Sequence, residues 1–303
     1  MNRLLILSRD ESEYIPLLRA AALEKLEITA DPGEADIILG EPGLTRDVLP
    51  RASRLKWVQS IYAGVEPLVD PAQRRDYVLT NARGVFGELM SEYVFGYLLF
   101  FEKKISERIE TQKRKQWQRP ESGMLRGKTI GLLGVGSIGA HLAETARQFK
   151  MRVRGYTRES EDSEHVDQYF HGDQLLQFAQ GLDYLVSVLP RTNDTNQIVD
   201  ANLLSALPPQ AVFINVGRGN AVHEDALVAA LNAGTLSAAV LDVFAQEPLP
   251  ENHPFWTTPN LYMTFHTSAI SYPEDITQLF IENYRLFLEN KPLKHVVDFE
   301  RGY

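Results

Sequence analysis

The run Ile130-Gly-Leu-Leu-Gly134-Val-Gly136-Ser-Ile-Gly139 carries an apolar strand pattern into Gly-x-Gly-x-x-Gly and then into a helical pattern. Glycines so spaced often mark only a turn, but between a strand and a helix that open a β-α-β unit they form a dinucleotide loop. Gly134 permits the tight turn, Gly136 lets backbone approach a pyrophosphate, and Gly139 allows helix and strand to pack closely. Ser137 and Ile138 stand at the helix entry, where free N–H groups and the positive dipole end meet the phosphates. The next strand pattern ends Arg154-Gly-Tyr-Thr157-Arg158. NAD-binding chains place Asp or Glu about 20 residues past the loop, on the ribose 2′-hydroxyl; Thr157 stands there instead. Thr157 could donate to a 2′-phosphate and Arg158 could pair with it. The nearby Glu159 and Glu161 count against this, and Arg158 as a solvated loop cation is the plain alternative. The expectation is NADP(H) in preference to NAD(H), with no metal.

Three ionisable residues stand just past apolar runs of strand length: Arg218 after Val212–Val216, Glu247 after Ala238–Val243, and His266 after Leu261–Phe265. In a doubly wound sheet, ligands sit beyond the carboxyl ends of the strands. The runs belong to a block of six strand patterns, beginning at Thr129–Leu133, alternating with helical patterns at Ile138–Phe149, Leu175–Ala179, Ala201–Leu207 and Glu224–Asn232. An earlier block reads the same way, with strands at Leu4–Leu7, Asp36–Gly40, Leu55–Ser60 and Tyr77–Thr80. Repeated β-α-β order predicts parallel sheets covered by helices. Between the blocks, apolar residues from Leu89 to Ile109 recur at steps of three and four, predicting one long helix over about 88–116 that connects two domains, with an ordinary core helix that ends earlier as the alternative. A last helix is predicted over about 273–289. The fold class is α/β: a Rossmann dinucleotide-binding domain, residues 96–273, inserted into a flavodoxin-like substrate domain of residues 1–95 plus 274–303.

Composition narrows the function classes. The chain has 303 residues, 44% hydrophobic and 23% charged, which is ordinary for a globular protein. A net charge of −9 argues against nucleic acid as partner. Without cysteine there is no disulfide, thiolate metal site or thiol nucleophile. The first apolar run, Leu4–Leu7, is too short for a signal-peptide core, and Val94–Phe101 is too short for a membrane span. A soluble, cytoplasmic protein is expected.

Several segments together resemble the D-isomer-specific 2-hydroxyacid dehydrogenases, and among them the NADP-linked glyoxylate/hydroxypyruvate reductases. They are Trp117, Leu125 to Gly139, Leu189-Pro-Arg-Thr-Asn-Asp-Thr195, Asn215-Val-Gly-Arg-Gly219, Leu241-Asp-Val-Phe244, Glu247-Pro-Leu-Pro250 and His253-Pro-Phe-Trp256. The resemblance implies reduction of a small 2-keto acid to the D-2-hydroxy acid, with Arg218, Glu247 and His266 as the catalytic residues. Arg218 would grip the substrate carboxylate with two donors. His266 would protonate the developing alkoxide, and Glu247 would hold its other ring nitrogen. Pro190, Thr195, Val216, Gly217 and Asp242 would join the glycine loop, Thr157 and Arg158 around the cofactor. Backbone N–H groups at Ala63 and Gly64 resemble the family's second carboxylate-binding loop, and Tyr62 and Trp256 are candidate pocket walls. Phe265 departs from the family's usual Pro before the histidine, and Arg83 stands where Pro is common. His223 and His253 read as loop or helix-start residues. The family also implies a homodimer. An NAD-sensing or corepressor protein of the same fold is the alternative, disfavoured because little chain follows the last helix. Phosphoglycerate oxidation is disfavoured by Glu66 in the substrate loop and formate oxidation by Glu247, where relatives carry Gln.

Overall fold

The structure is a computed structural model and describes residues 1–302. The chain divides into two compact units, Gly87–Ala269 and the segments on either side of it. The first unit opens with β1 (Asn2–Leu7), α1 (Glu11–Ala20), β2 (Leu26–Thr29), β3 (Ile37–Gly40), α2 (Pro42–Val48), β4 (Trp57–Ser60), α3 (Glu66–Val69) and β5 (Val78–Thr80). Its sheet runs β2-β1-β3-β4-β5, all parallel, with Leu4, Ile37, Trp57 and Val78 in one row. This is the flavodoxin-like order. β3 and β4 are buried along their whole length, because helices cover both faces of a parallel sheet.

The second unit begins with α4 (Gly87–Glu102) and α5 (Ile105–Lys113). It continues through β6 (Thr129–Leu133), α6 (Ser137–Gln148), β7 (Arg152–Tyr156), β8 (Gln168–Phe170), α7 (Leu175–Ala179) and β9 (Tyr184–Ser187). It closes with α8 (Ala201–Ala206), β10 (Val212–Asn215), α9 (Glu224–Ala233), β11 (Ala238–Leu241) and β12 (Leu261–Met263). The strand order is β12-β11-β10-β9-β6-β7-β8, again all parallel, and reverses direction at β6. Every residue of β6, β9, β10 and β11 is buried. Each fully buried Leu, Ile, Val or Phe there contributes about 1.5–3 kcal/mol. α10 (Pro273–Leu288) returns to the first unit, where Phe280 stacks on Trp57 at 5.1 Å and Asn283 donates to Gln59 at 3.0 Å.

Four sequence expectations differ from this, and the first is that the first sheet has five strands where four were expected, β2 being the addition. The single long helix is two, because Lys104 takes a left-handed φ of 52° and ends the first. The apolar stripe stops at that point too, and α5 buries nothing. The second sheet has seven strands where six were expected; β8 is a three-residue edge strand, too short for a periodic signal. The compact units meet at residues 86/87 and 269/270, whereas the predicted boundaries were 95/96 and 273/274. The first half of α4 goes with the second unit because Val94, Phe95 and Leu98 pack with Leu142, Ala143 and Ala146 of α6.

Candidate active site

All strands of the second sheet are parallel, so the loops after β6, β7, β9, β10, β11 and β12 gather at one edge. Gly134, Thr157, Pro190, Arg218, Asp242 and His266 each lie in one of these loops. The glycine loop has the geometry its spacing requires. Gly134 has a φ of 93°. A Cβ on Gly139 would fall 2.3 Å from the Gly134 carbonyl oxygen, so only glycine lets α6 start so close to β6. A Cβ on Gly136 would meet nothing within 4 Å, which leaves open space at the N-terminus of a 12-residue helix. Ser137 and Ile138 are the first residues of that helix. An open, glycine-lined helix N-terminus fits a dinucleotide pyrophosphate.

At the end of β7, Thr157 is buried and its hydroxyl donates to the Ser160 carbonyl at 2.7 Å, which fixes the turn. Arg158 is paired with Asp194 at 2.9 Å, an exposed contact. Asp194 belongs to the loop after β9, which is tied by the Thr195 hydroxyl donating to the Pro190 carbonyl at 2.7 Å. After β10, Val216 and Gly217 lead into Arg218. The buried Asn215 side chain pins this turn: its Oδ1 accepts from Gly217 N at 3.2 Å and its Nδ2 donates to the Arg218 carbonyl at 3.0 Å. The Arg218 guanidinium donates to the Gly217 carbonyl at 2.8 Å.

The histidine is held from two sides. His266 Nδ1 lies 2.7 Å from Glu247 Oε2, and Glu247 Oε1 accepts from Phe244 N at 2.9 Å. That hydrogen bond raises the His266 imidazole above its ordinary range, against opposing desolvation and the Arg218 charge. Burial pushes the Glu247 carboxyl up, but hydrogen bonds from His266 and Phe244, with the charges of His266 and Arg218, hold it below the usual range. Because a carboxylate only accepts, Nδ1 carries the proton of this bond. His266 itself sits at a φ of 57°. Asp242 holds that loop: its carbonyl accepts from His266 N at 2.8 Å. Its fully buried carboxylate accepts from Thr267 N at 2.9 Å, Ser268 N at 3.1 Å and the Thr264 hydroxyl at 2.5 Å.

Thr264 in turn accepts from the Tyr93 hydroxyl at 2.6 Å. The sequence reading missed this Tyr93–Thr264–Asp242 chain, because Tyr93 fits the apolar stripe of α4; its phenol, which needs a partner when buried, was the available signal. Trp256 lies beside Phe265 at 5.9 Å, with its indole N–H on the Pro250 carbonyl at 2.8 Å. His223 caps α9 and His253 caps the turn at Pro254–Thr257. In the first unit, Tyr62, Ala63 and Gly64 follow β4. The Ser60 hydroxyl bridges the Tyr62 backbone, accepting from its N–H and donating to its carbonyl, and Asn81 donates to the Ala63 carbonyl at 2.9 Å.

A family model described as D-isomer specific 2-hydroxyacid dehydrogenase, NAD binding domain, matches residues 95–268. A glyoxylate/hydroxypyruvate reductase A of Yersinia enterocolitica is 33% identical over 267 residues, 85% of this chain and 85% of that one. A D-isomer specific 2-hydroxyacid dehydrogenase family protein of Aeromonas salmonicida superposes with a TM-score of 0.93 at 43% identity, covering 98% of this chain and 99% of its own. An NADPH-dependent glyoxylate/hydroxypyruvate reductase of Sinorhizobium meliloti, solved with NADP and sulfate, superposes at 0.90 with 27% identity, covering 100% of both chains.

Proposed function

Because this chain belongs to the D-isomer-specific 2-hydroxyacid dehydrogenases, we propose that His266, Glu247 and Arg218 carry the reduction of a small 2-keto acid to the D-2-hydroxy acid. The chain is an NAD(P)-dependent dehydrogenase. A reduced nicotinamide, when bound, supplies the hydride. The observation that carries the assignment is the 2.7 Å His266–Glu247 pair on the sheet edge that also bears Arg218 and the glycine loop. As imidazolium, His266 donates from Nε2 to the keto oxygen and gives up its proton as the alkoxide forms. Glu247 stabilises the charged ring, and Asp242 keeps its loop in place by three bonds to the carboxylate. Arg218 takes the substrate carboxylate.

The coenzyme is NADP(H) in preference to NAD(H). No acid stands at Thr157, Arg158 needs only to exchange Asp194 for a phosphate, and related structures carry NADPH or NADP. Glyoxylate and hydroxypyruvate are the substrates that the relatives' names support. The test is initial rates with glyoxylate, hydroxypyruvate, pyruvate and phenylpyruvate, each with NADPH and NADH. Fast turnover of glyoxylate and hydroxypyruvate with NADPH is expected. A preference for NADH overturns the coenzyme assignment, and tight coenzyme binding without turnover of any keto acid overturns the catalytic one.

A homodimer and a cytoplasmic location complete the proposal. The dimer is supported by apolar side chains exposed on and after α5, Trp117 to 91%; sedimentation of the purified chain tests it. Among the described residues no helix is long and apolar enough to cross a membrane.

A further inference from the structure

Glu159 and Glu161 stand two and four residues after Thr157, and a carboxylate beside a 2′-phosphate is repulsive. The structure gives Glu161 a partner. His171, the residue after β8, places its Nε2 at 2.9 Å from Glu161 Oε1. Its Nδ1 lies 3.1 Å from both the carbonyl oxygen and the Oγ1 of Thr157. Carbonyl and carboxylate oxygens only accept, and Thr157 Oγ1 spends its own proton on Ser160. Both ring nitrogens therefore face acceptors, and only an imidazolium carries a proton on each. The ring lies parallel to Tyr169 at 6.3 Å, and the His171 backbone N–H donates to Gln174 at 3.0 Å. The charged groups acting on it are Glu161 and Glu159 from the turn after β7, both favouring the protonated ring. Arg158 is turned to Asp194.

We propose that His171 is a specificity-determining positioning residue for the coenzyme: its imidazolium neutralises Glu161 and ties down the Thr157–Glu161 turn, so that a loop bearing two acids accepts a 2′-phosphate. This rests on the NADP(H) reading above. A neutral ring can make only one of the two bonds, which leaves either the Glu161 charge or the Thr157 carbonyl unanswered. Preference for NADPH over NADH therefore falls as pH rises through the titration of His171. The 2′-phosphate gains its second charge near pH 6, which works in the opposite sense, so a variant that does not titrate supplies the baseline.

The experiment measures NADPH and NADH dissociation constants by nicotinamide fluorescence across the neutral range. It uses the full-length wild type, His171→Asn, Glu161→Gln and the double variant. His171→Asn is expected to lower the NADPH-over-NADH affinity ratio by about two- to fivefold at the acid end, the scale of an exposed ion pair, and to remove the fall that wild type shows relative to it. Adding Glu161→Gln to His171→Asn is expected to restore the ratio, which a merely structural loss would not allow. If wild type favours NADPH but His171→Asn leaves the ratio and its pH dependence unchanged, or the double variant fails to restore it, the role of His171 is overturned alone. If wild type favours NADH at every pH, the coenzyme reading falls and this inference with it.

Discussion

A proton donor for ketone reduction must hold its proton at working pH yet be able to lose it, and the geometry of the His266–Glu247 pair suits both demands. The 2.7 Å contact raises the imidazole while the charge of Arg218 limits the rise. In the proposed reduction His266 is the acid, and its protonated form is present below its pKa in the folded protein. Reduction measured as kcat/KM is therefore expected to hold through neutral pH and to fall as pH climbs past a value above the ordinary 6.5 or so of histidine. The falling limb should move to lower pH in Glu247→Gln. A limb that stays put would remove Glu247 from the pair's chemistry. His266→Gln is expected to cost about 10²–10⁴-fold in turnover while sparing coenzyme affinity; unimpaired turnover would show that another group supplies the proton.

Elements place these residues through strand ends and tight joints. Gly139→Ala puts a methyl against backbone that cannot yield, so it should cost about 1–3 kcal/mol of stability by urea unfolding and weaken NADPH and NADH alike. Unchanged unfolding and binding would mean that α6 can slide on β6. This joint was legible in the sequence because strand, glycines and helix are contiguous, and so was the placing of Arg218, Glu247 and His266 after apolar runs of strand length. β2 and β8 were not, since Leu26–Thr29 leaves Glu27 and Ile28 exposed and Gln168–Phe170 is three residues long. The break at Lys104 was hidden as well, because a lysine rarely adopts a left-handed φ. The contact from Tyr93 to Thr264 spans 171 residues of sequence. Only the folded sheet edge brings that pair together, so no local pattern could announce it.

At the scale of the molecule, each unit has its own core and its own sheet. Coenzyme held by the Gly87–Ala269 unit should stabilise that unit selectively. At a hundredfold excess over the dissociation constant the gain is about 2.7 kcal/mol, a rise of about 5–11 °C in its melting transition at this size. NADH at the same concentration should give less, and an equal shift would argue against a 2′-phosphate site.

The interrupted first unit also fixes an order of events at birth. Trp57 and Gln59 emerge from the ribosome early, yet Phe280 and Asn283, which cover them, are made only after the whole inserted unit. At about 5–20 residues per second, the five opening strands wait roughly 10–40 s for the helix that completes them. A chain ending at residue 269, once released from the ribosome, should therefore expose residues 1–86 to protease while the inserted unit is already resistant. The strands translated before the inserted unit are then completed only after it.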